Sequence, residues 1–305
     1  MKFVTFNKDG RDRSGLLHDD RVLDLAAAAA ASGETVDVSS VLAIVQNGSE
    51  SLAAVRRLAG RASELPAAWH AGKDLKLLAP IPRPLRNIFC VGRNYVDHVK
   101  EGYQARQQEV KLPEAPQFFT KATHAINRPD GDVRLDRRVT TKLDYEVELA
   151  IIIGKTGRDI AAANAFDHIF GYCIANDVTA RDLQRRHEQW FKGKSLDTSL
   201  PLGPYIATRD EIADVEALEL TLTVNGELRQ QARVGQMIFN IPTLLASLSA
   251  GLTLEAGDII ATGTPSGVGF AMDPPQFLKD GDVVVARITS LGELRNRIVE
   301  DAAGR

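Results

Sequence analysis

Residues 143–155 read Leu143-Asp144-Tyr145-Glu146-Val147-Glu148-Leu149-Ala150-Ile151-Ile152-Ile153-Gly154-Lys155. The unbroken apolar run after Glu148 marks a buried strand, stopped by Gly154. Strand side chains alternate, so Glu146 and Glu148 share one face and Tyr145, Val147 and Leu149 the other. Two adjacent carboxylates repel unless one keeps its proton or a cation sits between them. A hard divalent ion with oxygen ligands is the obvious cation. The plainer alternative for an E-x-E pair is a solvated acidic strand face.

The same texture extends outward. From Asn87 onward, strand runs (NIFCVG, GYCIAND, ALELTLTVNGEL, GDIIATG, GDVVVARI) alternate with Gly, Pro and Asp punctuation and few helices. That pattern predicts a β-rich α+β domain, not a regular βαβ repeat. Ahead of it, KFVTF and SGLLHDDRVLDL read as short strands, the latter with a hairpin tip at its Asp pair. The alanine run and the stretch from Ser39 to Leu58 read as helices, with Ser39 or Ser40 as N-cap. Pro80, Pro82 and Pro84 mark a linker. The expected division is therefore a small N-terminal α/β module, residues 1–76, and a β-rich domain, residues 77–305.

Composition narrows the function. Among 305 residues, 37 Lys and Arg stand against 40 Asp and Glu, a net charge of −3. This balance lacks the basic excess that nucleic acid requires. Cys90 and Cys173 both lie in apolar strand-like runs, so neither a disulfide framework nor a thiolate metal site is expected, and a reducing cytoplasm fits. The start MKFVTFNKDG does not read as a signal peptide, and no apolar run approaches the roughly 20 residues of a membrane span.

Three further segments carry chemistry. Asp177 closes the run from Phe170 to Asn176 and could add a third oxygen to a metal set, or could cap a helix over Thr179 to Arg185. In Gly92-Arg93-Asn94-Tyr95-Val96-Asp97-His98-Val99-Lys100-Glu101, a helix over 96–101 puts His98 and Glu101 on one face. The carboxylate could then orient the imidazole, or the two could form an exposed ion pair. They adjoin a polar stretch, 101–116, that reads as a lid or surface loop. Lys192 and Lys194 flank Gly193, and DIIATGTPSGVG (258–269) leads from a strand into a turn whose amides and hydroxyls can bind anionic oxygens or simply close a tight turn. That turn lacks the lysine of a phosphate loop, which excludes nucleotide binding.

Taken in order, GRNYVDHVKE, FFTK (118–121), LDYEVELAIIIGK, GYCIANDVTARDLQ, KGKSLDTSLPLGP, VNGELRQ and ATGTPSGVG resemble the fumarylacetoacetate hydrolase superfamily over roughly Leu78 to Val299. The N-terminal module and the wording GELRQ, MIF-x-IP and TLEAGDIIATGTPSGVG look closest to bacterial members acting on oxaloacetate as decarboxylases or tautomerases. The resemblance implies a mixed β-roll catalytic domain that assembles as a homodimer. It implies Mg or Mn bound by Glu146, Glu148 and Asp177, and His98 with Glu101 as the water-activating pair on a lid helix that orders over substrate. Lys194, Arg181 and Gln184 would hold the substrate's carboxylate and oxo groups, with Thr264 contributing from the glycine turn. A further acidic metal ligand, which the original hydrolase places ahead of the E-x-E strand, has no clear counterpart here.

The expected chemistry is that of a metal-dependent enzyme for a small 2-oxo acid, proceeding through an enolate. Oxaloacetate decarboxylation or tautomerisation leads. Hydrolysis of a C–C bond in a 2,4-dioxo acid is the alternative, and a noncatalytic 2-oxo acid binder is the rival from another class.

Overall fold

The computed structural model describes residues 1–301. Lys2–Lys8 (β1), Arg11–His18 (β2) and Arg21–Asp24 (β3) form an antiparallel meander. The second turn falls on Asp19-Asp20, with Asp19 at φ 52°, a left-handed conformation that Asp tolerates better than most residues. Leu25–Ser32 (α1) starts at Asp24, whose side chain accepts from Ala27 N. The stretch expected as helix from Ser39 to Leu58 is split into Val41–Gln46 (α2), capped by Ser40, and Gly48–Gly60 (α3). Asn47-Gly48 makes the break, since these two residue types end helices most readily. Trp69–Ala71 (β4) and Lys76–Leu78 (β5) follow.

The remaining chain holds Ile88–Gly92 (β6), Val96–Gln104 (α4), Gln117–Lys121 (β7), Ile126–Asn127 (β8), Val133–Leu135 (β9) and Leu143–Asp144 (β10). Next come Val147–Ile153 (β11), Ile169–Asn176 (β12), Thr179–Ala180 (β13), Arg181–Arg186 (α5), Phe191–Lys194 (α6) and Leu200–Thr208 (β14). Glu219–Val224 (β15), Glu227–Arg233 (β16), Ile241–Ser249 (α7), Ile259–Ala261 (β17), Val283–Ile288 (β18) and Gly292–Glu300 (β19) complete it.

One sheet runs β4-β3-β2-β1-β14-β12-β11-β17-β6-β7, with β5 on β1 and β8 on β14. It is mixed: β17 with β6 and β14 with β8 are parallel, the rest antiparallel. A second sheet is ordered β16-β15-β18-β19-β9, and β10 with β13 forms a short ribbon. The architecture is thus α+β, a β-rich mixed sheet with smaller α/β elements, as the strand runs implied.

Strand β11 is buried on both faces. Val147, Leu149, Ile151 and Ile153 join Leu220, Leu222, Val284 and Leu294 of the second sheet and Leu244 of α7. Ala150 and Ile152 face a different core, shared with Cys173, Ile206, Leu25, Ile44 and Val55. A strand covered on both sides reads as one continuous apolar run, which is why VELAIII carries no charge beyond Glu148. Cys90 and Cys173 are free thiols in this second core. No helix among the described residues is long and apolar enough to cross a membrane.

The boundary expected after residue 76 falls inside β5, whose Leu77 pairs with Phe6 of β1; β1 in turn pairs with β14. We propose residues 1–76 as a module built onto the edge of the sheet of residues 77–305. A chain beginning at residue 77 leaves the β1 side of β14 unpaired and strips α1–α3 from the core over Ala150 and Cys173, a template for edge-to-edge association. It is expected to aggregate, and a monodisperse fragment with a single cooperative urea transition would contradict this.

Candidate metal centre and active site

The β11–β12 ladder assembles the acids. Val147 faces Asn176 and Glu148 faces Ala175, and the ladder continues one step further, where Asp177 N donates to Glu146 O at 2.8 Å. Residues directly opposite in an antiparallel pair share a face. Asp177 therefore lands beside Glu146 and Glu148, on the face that deeper in the sheet carries Ala150 and Ile152. Carboxylate oxygens of the three lie within 4.8 Å of one another, and all three residues are buried. The solvated-face reading of the E-x-E pair is excluded. So is the helix-cap reading of Asp177, because α5 starts after Ala180 without a side-chain cap.

Three cations hold the cluster. Lys194 Nζ bridges Glu146 Oε2 (2.6 Å) and Asp177 Oδ2 (2.7 Å). Lys121 Nζ donates to Asp177 Oδ1 (2.7 Å) and to Val178 O (3.0 Å). Arg181 places Nη1 2.7 Å from Glu146 Oε1 and Nε 2.8 Å from Asp144 Oδ2. Its Nη2 is buried without a partner among the described residues. Burial alone would weaken the charge on Lys194, but Asp177 and Glu146 more than offset this and hold its pKa above the usual lysine value. Glu146 behaves in mirror image: burial opposes its ionisation, yet Lys194, Arg181 and His98 lower its pKa to about 2.

Glu148 differs. Its hydrogen bond comes from Gly263 N at 2.8 Å, and it has no ion pair among the described residues. Burial, then the neighbouring Asp177 and Glu146, push its pKa well above the ordinary value. A buried carboxylate that faces two others without a cation of its own is what a hard divalent ion would complete. The donor set fits Mg or Mn: three carboxylates, all oxygen, with no soft ligand.

An imidazole–carboxylate pair stands on α4. Helix formation puts His98 and Glu101 three residues apart on one face, and His98 Nδ1 lies 2.8 Å from Glu101 Oε1. An ionised carboxylate only accepts, so Nδ1 carries a proton and Nε2 is the ring nitrogen left to exchange one. Glu101 Oε2 accepts from Gly267 N at 2.8 Å. Both carboxylates bonded by this turn are thus held by glycine amides. Gly263 and Gly267 have φ of 100° and 103°, and a Cβ on Gly267 would sit 1.9 Å from Arg229 O. The turn binds anionic oxygens, as its composition suggested, but those of the protein itself.

His98, Glu146, Glu148, Arg181, Gln184, Lys194 and Thr264 line one pocket, with Arg93, Tyr103, Arg106, Phe119, Trp190 and Phe270. Gln184 Oε1 accepts from Arg181 Nη1 at 3.3 Å. The Thr264 hydroxyl donates to Val147 O and accepts from Gln230 Nε2, so it is already engaged. Two important residues had no role in the sequence reading. Lys121 was visible only as the last letter of FFTK. Asp144 sits just ahead of the E-x-E pair, but it lies outside the cluster and holds Arg181 and the amides of Gly269 and Phe270.

Metal binding should register as stability. Millimolar Mg or Mn is expected to raise the melting temperature, the folded state gaining about 2.7 kcal/mol at a hundredfold excess over Kd. Glu148→Gln should abolish that response. In the metal-free protein the raised pKa of Glu148 means the folded state holds a proton that the unfolded chain releases. Stability therefore falls as pH climbs above the usual glutamate range, and Glu148→Gln should flatten that slope. A metal-dependent rise that survives in the variant would contradict the assignment.

Residues 87–299 match the family model described as fumarylacetoacetate (FAA) hydrolase C-terminal. The chain is 44% identical to the oxaloacetate tautomerase YisK of Bacillus subtilis, over 98% of this chain and 100% of the relative. It is 41% identical to the mitochondrial oxaloacetate tautomerase FAHD2A of Homo sapiens, over 84% of this chain and 78% of that one. The solved fumarylacetoacetate hydrolase of Exiguobacterium antarcticum superposes with a TM-score of 0.80 at 40% identity, covering 99% and 100% of the two chains. A maleylpyruvate hydrolase from Sphingobium sp. SYK-6, solved with manganese(II) and pyruvate, gives 0.76 at 29% identity with the same coverage. The cluster of buried acids and the imidazole–carboxylate pair beside it thus sit in a chain that belongs to the fumarylacetoacetate hydrolase family.

Proposed function

We propose that this enzyme interconverts the keto and enol forms of oxaloacetate with a bound Mg or Mn ion, and that the same site decarboxylates this substrate. The observation that carries the reading is the convergence of Glu146, Glu148 and Asp177 beside an imidazole whose Nδ1 is fixed by Glu101. The names of relatives 41–44% identical, and pyruvate with manganese in a more distant one, support the substrate class.

Glu146, Glu148 and Asp177 would hold the metal, which when bound supplies Lewis acidity toward the carboxylate and 2-oxo oxygens. His98 Nε2 exchanges a proton with C3, and Glu101 stabilises the imidazolium that results. Lys194, kept charged by its two carboxylates, offers its ammonium group to the oxygen on which negative charge grows. The unpartnered Nη2 of Arg181 is a ready donor to a substrate carboxylate. In decarboxylation the bond from C3 to the carboxyl carbon breaks, carbon dioxide leaves without a nucleophile, and C3 takes a proton that His98 Nε2 has first acquired from solvent.

Hydrolysis of a 2,4-dioxo acid is the second reading. It rests on the hydrolase relatives and on the same imidazole, which could deprotonate a water. We also propose a homodimer, supported by the 36% and 45% exposure of Phe118, on outer strand β7, and Phe191. A cytoplasmic location is proposed on the two thiols kept free in the core.

Decay of enol-oxaloacetate absorbance, followed with and without Mg, tests the leading reading. Glu146→Ala and Asp177→Ala are expected to abolish the metal-dependent rate, and His98→Ala to lower it by about 10²–10⁴-fold. Turnover confined to an acylpyruvate would move the assignment to C–C hydrolysis. Binding without turnover across a panel of oxo acids would remove the enzyme reading.

A further inference from the structure

The floor of the pocket and its rim differ in charge balance. On the floor, Asp144, Glu146 and Asp177 meet Lys121, Lys194 and Arg181 in direct contacts, with Glu148 beside them. On the rim, Arg93 and Arg106 line the same pocket, and neither has a carboxylate within ion-pair distance among the described residues. Each lies against aromatic rings instead. The Arg93 guanidinium is 5.5 Å from the Tyr103 ring and 5.8 Å from that of Trp190, and Arg106 is 5.7 Å from Phe270. Phe270 is also 4.6 Å from Arg181, so two guanidinium groups share one ring.

Partial burial, and then the positive fields of Arg93, Arg181 and Arg185, lower the pKa of Arg106. A guanidinium keeps its charge through such a shift. The acids on the adjoining wall leave it unpaired: Asp182 is tied to Thr140 and Thr141, and Glu188 makes no ion pair among the described residues. Arg106 stands where the inner pocket, about 50 Å³, meets a basic vestibule of about 660 Å³ that also holds Lys142 and Arg185. Unpaired like charges around a cavity favour an anion that can enter it.

We propose that Arg106, backed by Arg93, receives the second carboxylate of the substrate and so selects dicarboxylic 2-oxo acids over monocarboxylic ones. The inference rests on the reading of a 2-oxo acid held at the acid cluster. With one carboxylate and the oxo group engaged there, the far end of the molecule is left for the rim. Arg106 is a specificity residue in this account, remote from the reacting atoms.

The test measures selectivity in the full-length protein with Mg present. Calorimetry compares malate with 2-hydroxybutyrate, inert analogues that differ in a carboxylate against a methyl group. Wild-type protein should prefer malate, and Arg106→Gln should cut that preference about tenfold to a hundredfold, the range of a charge-assisted contact. Arg106→Lys should restore part of it, because charge remains while the fork is lost. The ratio of kcat/KM for oxaloacetate to that for its 4-ethyl ester should fall in parallel. Arg106 is exposed and has no side-chain hydrogen bond among the described residues, and an unchanged melting temperature will show that the fold is kept.

Equal weakening of both analogues, or of neither, overturns the proposal. So does a wild-type protein that binds the two alike. Oxaloacetate turnover with an undiminished kcat/KM in Arg106→Gln refutes the carboxylate clamp and leaves the tautomerase reading intact. An Arg106-dependent preference in a protein that turns over no oxo acid supports the clamp and removes the tautomerase reading.

Discussion

The antiparallel pairing of β11 with β12 is the constraint on which the site depends. It carries three carboxylates to the end of a sheet face that is otherwise apolar. At an effective dielectric of about 20, two unit charges 4.8 Å apart repel by roughly 3 kcal/mol, so three ionised groups cannot share the place without cations. Lys194 and Lys121 supply two. Both are buried: at Lys194 the acids more than offset burial and raise the pKa, whereas at Lys121 burial outweighs the pull of Asp177 and lowers it. Removing Lys194, Glu146 or Asp177 leaves an uncompensated charge in the interior, which costs more than the net worth of any one pair.

Around this cluster the protein builds a frame from groups that never reach the reactants. Asp144 accepts from the amides of Tyr145, Gly269 and Phe270 while it fixes the guanidinium of Arg181. Asn176 accepts from Glu146 N, and Gln230 from Val147 N, so the first turn of chain at the mouth of β11 has its backbone donors satisfied by side chains. The acids thereby keep defined positions where the strand ladder runs out. Rigid placement of this kind is what lets a pocket built at a strand end favour one geometry of ligand.

Much of this was legible in the sequence. The alternation of E-V-E-L assigned Glu146 and Glu148 to one face, and the helical spacing of His98 and Glu101 put them together. The β-rich texture after Asn87 fixed the class. The third acid was legible only as a possibility, because Asp177 reaches the other two through cross-strand register, and a register is a property of two strands. Lys121 and Asp144 were missed for a related reason: their roles depend on partners 56 and 37 residues away. The glycine turn was recognised as an anion binder, but its composition could not reveal that the anions belong to the chain. At Asn47-Gly48 the apolar helical spacing masked a stop signal that local residue types did contain.

That turn joins the two halves of the chemistry. Gly263 is bonded to the acid that would complete the ion's coordination, and four residues later Gly267 is bonded to the group that orients the proton carrier. A single short arc of main chain is therefore a shared rivet for two carboxylates, one from β11 and one from α4. The exposed stretch beyond α4 makes neither of these glycine bonds, so its side chains can be exchanged with both left intact.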